Sequence, residues 1–225
     1  MRKVLLVLLV ILPSLVHSQE IVPRKLFSDV IGSSIRKYKA KSKLASLNKD
    51  EERVHFLFDS LVNNVIKGSY IDNFKLRKFS GKKIEFYSFE KPVYLITSAS
   101  WISPGSGEIP ALNSIVNDHY NEIDFIILFW GSRKKIRKIK RQFSKNISIL
   151  YVDEKENTND HTIRNLKHSL GFPTSFIISE NKEILDVRRL VHHHYSETFT
   201  NSYNQHFQNF MSAVSLLIKE EIIPD

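Results

Sequence analysis

The segment Ser98-Ala99-Ser100-Trp101-Ile102-Ser103-Pro104-Gly105-Ser106-Gly107-Glu108-Ile109-Pro110 has the make-up of an active-site loop. It follows an apolar run and places Ser, Gly and Pro where a strand would turn into a helix. Its reactive groups are hydroxyls and one carboxylate, Glu108. A second turn, Gly171-Phe172-Pro173, leads into another apolar run. The chain contains no cysteine. That removes a thiolate nucleophile, a disulfide staple and a cysteine-based zinc site from consideration. Ser, His and Asp are present, but no G-x-S-x-G nucleophile elbow and no phosphate-cradling glycine loop accompanies them. General acid–base chemistry needs two groups placed around one substrate, and Glu108 alone lies near the loop in sequence.

His192-His193-His194 raises a metal reading. Neighbouring side chains on a strand point to opposite faces, so at most His192 and His194 share a side. A hairpin end is also an ordinary place for polar residues. No metal ligand set and no cofactor are expected from it.

The elements that must position these residues read as follows. Residues 20–47 are basic and weakly patterned, densest at Arg36 to Lys43, and read as an exposed arm or loose helix. Asn48 with Glu51 fits a capping box, and Val54, Leu57, Phe58, Leu61, Val62 and Val65 recur at helical spacing, which predicts a helix over 48–66. Phe74 to Arg77 and Ile84 to Tyr87 alternate around Ser80-Gly81-Lys82, a hairpin. Val93 to Thr97 and Ile123 to Trp130 are strands buried on both faces. The loop above follows the first of them and opens a helix that Pro110 should kink. After Gly131 comes the very basic helix Arg133 to Arg141, with Ile136, Ile139 and Phe143 as its buried stripe. Ile147 to Val152 is a third strand and His161 to Leu170 a short helix. Thr174 to Ser179 pairs with Glu183 to Val191, and a long last helix carries Phe199, Tyr203, Phe207, Phe210, Val214 and Leu217 as one stripe. Strands alternating with helices before a terminal antiparallel hairpin predict a three-layer α/β domain with a mixed sheet.

The start of the chain reads as a removable leader over 1–18: Arg2 and Lys3, the apolar run Val4 to Leu12, then Pro13 and a small residue, Ser18. An uncleaved anchor would need about 20 apolar residues. The expectation is an exported protein, periplasmic or secreted, with no transmembrane anchor once the leader is gone. The 225 residues carry 33 Lys and Arg against 24 Asp and Glu, a net charge of +9. The Arg133–Arg141 helix reads first as a solvated face. With the basic arm before residue 48 it could also form a surface for anionic lipid, polysaccharide or nucleic acid. No nucleic-acid-binding motif accompanies it, so no nucleic-acid partner is expected.

Element order and residues together resemble the thioredoxin-like superfamily, in particular the exported TlpA-like (redoxin) thiol-disulfide reductases. Members of that group have a strand and then W-C-x-x-C-x-x-E-x-P opening a helix. Trp101, Pro104, Glu108 and Pro110 match this pattern, and Ala111-Leu112 continue it. Gly171, Pro173, Thr174 and Phe176 match the group's glycine, cis-proline, threonine and apolar strand. Phe74-x-Leu76 with Gly81-Lys82 matches its entry hairpin. The likeness covers about residues 70–220.

The resemblance implies a thioredoxin-like α/β/α sandwich over 68–225, with a mixed central sheet and an N-terminal hairpin. A basic arm and helix over 19–67 would precede it as an N-terminal extension. It places Ile102 where the nucleophilic thiol would be and Gly105 where the resolving thiol would be, and neither can attack a disulfide. Catalytic residues are therefore none. The implied retained surface is Trp101, Ser103, Pro104, Glu108, Phe172, Pro173 and Thr174, with an extended peptide or envelope protein as partner. The helix opening near Pro104 would add unpaired N–H groups. Against this stands a structural reading in which Trp101 packs on Phe172 and Glu108 is a buried structural acid. An enzyme of another class built on Glu108, and a basic adhesion domain, remain as alternatives.

Overall fold

In the computed structural model, residues 24–131, 133–152, 161–168, 170–189 and 197–220 are described. Residues 1–18, which read as a leader, and His192 to His194 lie outside them. The strands are β1 (Lys75–Lys78), β2 (Lys83–Glu85), β3 (Val93–Ala99), β4 (Asp124–Trp130), β5 (Ser148–Tyr151), β6 (Thr174–Ile178) and β7 (Ile184–Arg189). They form one sheet in the order β2-β1-β5-β4-β3-β6-β7. β3, β4 and β5 run parallel, and the remaining neighbours are antiparallel.

The period-2 alternation of the strands divides the core in two. Val93, Leu95, Ile126, Leu128, Trp130, Phe176 and Ile178 face one layer. Tyr94, Ile96, Phe125, Ile127, Phe129 and Ile177 face the other. The first layer is built from α1 (Phe27–Leu47), α2 (Glu51–Leu61) and α5 (His161–His168). The second is built from α3 (Glu108–His119), α4 (Arg133–Lys140) and α6 (Phe199–Glu220). Both faces of the central strands are therefore apolar, and their continuous hydrophobic runs follow from that.

Several expectations change. Residues 27–47 form a helix whose Phe27 and Ile31 are fully buried, with the Phe27 ring edge-on to Phe176 at 5.7 Å. Its apolar residues are too sparse for periodicity to announce it, because much of its outer face is Lys, Arg and Ser. Asp50, not Asn48, caps α2, accepting the Arg53 N–H at 2.9 Å. A π-helical turn, Val62–Ile66, then carries the chain to Gly68. Pro110 sits in the first turn of α3, where its missing N–H has no intrahelical partner to lose, so it starts the helix instead of bending it.

On α6 the buried positions are Ser202, His206, Phe210, Ala213, Val214 and Leu217. Phe199 is 55% exposed and stacks on Tyr203, which stacks on Phe207, at centroid separations of 6.2 and 5.8 Å; Tyr203 and Phe207 are partly buried and pack against the core. The basic helices α1 and α4 lie on opposite faces of the sheet, so they do not share one positive surface.

Candidate functional site

The parallel strands β3 and β4 end side by side, Ala99 beside Trp130, and the candidate loop leaves the sheet there. Two contacts fix its first turn. The Ser100 N–H donates to the Trp130 carbonyl at 2.9 Å, and the Ile102 N–H to the Ala99 carbonyl at 3.0 Å. Gly131 makes this crossing feasible. Its φ is +134°, and a Cβ there would stand 2.1 Å from the Ser100 hydroxyl oxygen.

Residues 102–107 then run without helical structure, and α3 begins at Glu108. The expectation of a helix opening near Pro104 is corrected by about one turn. Pro104, Gly105 and Gly107 are poor helix formers set close together. The freed amides are also taken locally. The Glu108 carboxylate accepts the Gly105 N–H at 3.0 Å, and the Glu108 N–H donates to the Gly105 carbonyl at 3.2 Å. The Gly107 N–H is buried and donates to the Ser202 hydroxyl of α6 at 3.1 Å. The helix start is thus covered by α6 and does not present an open row of donors.

Opposite the loop, the Phe172–Pro173 peptide bond is cis. Thr174 is buried at the head of β6, with its hydroxyl donating to the Gly171 carbonyl at 2.9 Å. The Thr97 hydroxyl of β3 donates to the Thr174 carbonyl at 3.0 Å, which ties the turn to the strand that carries the loop. Ile102, Pro104, Glu108 and Pro173 meet around a cavity of about 30 Å³ floored by Ile127 and Phe129. That space holds a water or two and no substrate. Among the described residues no histidine lines it. The Glu108 carboxylate, accepting the Gly105 N–H, serves to hold the loop.

Trp101 does not pack on Phe172. The Phe172 ring lies against the buried indole of Trp130, at a centroid separation of 5.0 Å, while Trp101 is 64% exposed. Covering an indole of that exposure is worth about 3 kcal/mol to whatever covers it. Ser103 is exposed as well, and Pro104, Phe172 and Pro173 are half-buried. Sequence reasoning missed Trp130, Gly131 and Ser202. Trp130 read only as the last residue of a strand, and Ser202 was hidden in a stripe defined by aromatics. Among the described residues no cluster of His, Asp or Glu could hold a metal ion.

The strand order, the loop at the end of β3 and the proline turn at the head of β6 make this a protein of thioredoxin-like fold, and it has no cysteine. No family model matches the chain. A curated relative, the thioredoxin-like protein YneN of Bacillus subtilis, is 23% identical over 125 residues, which is 54% of this chain and 70% of that protein. A thioredoxin-like protein from Bacteroides caccae aligns at a TM-score of 0.43 and 15% identity, covering 71% of this chain but only 55% of that one. The thioredoxin domain of a thiol-disulfide oxidoreductase from Bacteroides vulgatus aligns at 0.46 and 15% identity, covering 65% of this chain and 98% of that one.

Proposed function

We propose that this chain is an exported, redox-inactive module that binds an extended peptide or protein partner against the Trp101 loop and the Phe172–Thr174 turn. The observation that carries the reading is the exposed indole of Trp101 beside a loop whose every other large apolar group is at least half-covered. Tryptophan is among the residues most often found to dominate binding energy when a partner buries it. The loop is also held in place without any partner, by the Glu108 carboxylate, Ser202 and Gly131, so little ordering cost remains to be met on binding. The Phe172 N–H and carbonyl have no hydrogen-bond partner among the described residues, and an extended chain could use them.

Redox inactivity follows from chemistry: exchange requires a thiolate, and neither Ile102 nor Gly105 has one. The leader-like pattern of residues 1–18 supports export. No helix among the described residues is long and apolar enough to cross a membrane.

The experiment is quantitative partner capture from the producing cell's envelope fraction, comparing wild type, Trp101→Ala and Phe56→Ala. Phe56 is 58% exposed on α2 and serves as a matched aromatic control. Trp101→Ala should weaken capture about tenfold or more, with Phe56→Ala near wild type. Equal retention by both variants would remove the loop from the binding surface.

A further inference from the structure

A second surface, independent of the Trp101 loop, lies where the turn between β1 and β2 meets α4 and the start of β5. A cleft of about 690 Å³ opens there, walled by Arg133, Arg137, Lys140, Arg141 and Lys145, with Phe79 on the hairpin side and, among the described residues, no acidic group in its lining. We propose that this cleft binds a linear acidic polysaccharide.

Charge and its spacing carry the assignment. Arg133, Arg137 and Arg141 recur every four residues, so they form a row along α4 and its end with a step of about 6 Å. Lys145 extends the positive wall past the helix. A row of this kind matches a polymer with regularly repeated charge better than one compact anion. Arg137, Arg141 and Lys145 make no ion pair among the described residues, so their charges are available. The other wall is already fixed. Arg133 donates to the Phe79 carbonyl, and the Lys140 ammonium sits 5.0 Å from the centre of the Phe79 ring.

Two other anionic partners fit less well. A helix that lies on a lipid surface turns its apolar face into the acyl region. In α4 that face is spent on the sheet: Ile136 is fully buried and Ile139 packs on the same core. Single-stranded nucleic acid is held by bases stacked on open aromatic rings. Phe79 is half-buried, edge-on to Tyr151 at 6.1 Å, and covered by Lys140. A charged glycan needs neither an apolar wedge nor a stacking platform.

The test uses a size-defined heparin octasaccharide as probe, titrated at low and moderate salt, with neutral dextran, a thymidine oligonucleotide and anionic phospholipid vesicles as parallel arms. The double variant Arg137→Ala/Arg141→Ala should lose about tenfold or more in affinity for the octasaccharide and show a shallower salt dependence. The charge-matched double variant Lys37→Ala/Lys41→Ala, on α1 across the sheet, should change affinity less than about twofold. All four side chains are exposed, and unchanged thermal unfolding will verify that both variants fold. Equal losses in the two double variants would reduce the effect to net charge and overturn the proposal. So would the absence of octasaccharide binding, or a stronger Arg137-dependent affinity for the oligonucleotide or the vesicles.

Discussion

Ile102 and Gly105 define what the loop does not do, and Glu108 shows what becomes of an acid with no thiol beside it. Its carboxylate is a hydrogen-bond acceptor for the Gly105 amide, a role that glutamine keeps in part through its carbonyl oxygen and alanine loses. Glu108→Ala should therefore destabilise the fold by about 1 kcal/mol, read as a shift in the denaturant midpoint, while Glu108→Gln costs less. The register of the loop is open to its own test. In Ile102→Cys/Gly105→Cys, mild oxidation should leave no free thiol in the monomer, because residues three apart in a loop held at Ala99 and Glu108 stay close. Two persistent free thiols under those conditions would show that the loop does not bring these positions together.

At the level of elements, the contact between α3 and α6 decides the shape of the site. Gly107 permits it: a Cβ there would stand 2.1 Å from the Tyr203 backbone nitrogen, which cannot move without shifting α6. Gly107→Ala should cost roughly 1–3 kcal/mol through overpacking, measured by chemical unfolding. Ser202→Ala removes the acceptor of a buried amide and should cost about 1–3 kcal/mol. A stability for Gly107→Ala equal to wild type would mean that the two helices are farther apart than described. These contacts also explain why the helix reads one turn late. The Gly107 N–H is taken by Ser202 of α6, and the Gly105 N–H and carbonyl are taken by the Glu108 side chain and backbone.

The molecule as a whole depends on two apolar layers around one sheet. Phe27 belongs to that core although it precedes the hairpin by about fifty residues, and Phe27→Ala should cost about 3–5 kcal/mol. A near-neutral result would leave α1 as a dispensable extension. On the other face, Tyr94 is buried between β3 and α6, its ring against Phe125 and Phe210, and burial pushes its phenol up to about 12. An unfolded tyrosine ionises near pH 10. The folded state therefore holds this proton more tightly. Its contribution is complete below pH 10 and is lost as pH rises through 12. Alkaline unfolding should move to higher pH in Tyr94→Phe, followed by circular dichroism; an unmoved midpoint would assign the alkaline transition to other groups.

The sequence by itself determined the order of elements, the central strands and the absence of any thiol. Those follow from local patterns: apolar runs, turn residues at Gly81 and Gly171, and the absence of one residue type. The tertiary structure decided what the remaining residues touch. It buried Phe27 and Ile31 in a segment that reads as a basic arm, left Trp101 in water and set Phe172 on Trp130. It also placed Ser202 against Gly107 across 95 positions of chain, and set Arg137 and Phe79 around one cleft. Long-range contacts of this kind depend on how layers close over a sheet, which no periodicity within a single element encodes.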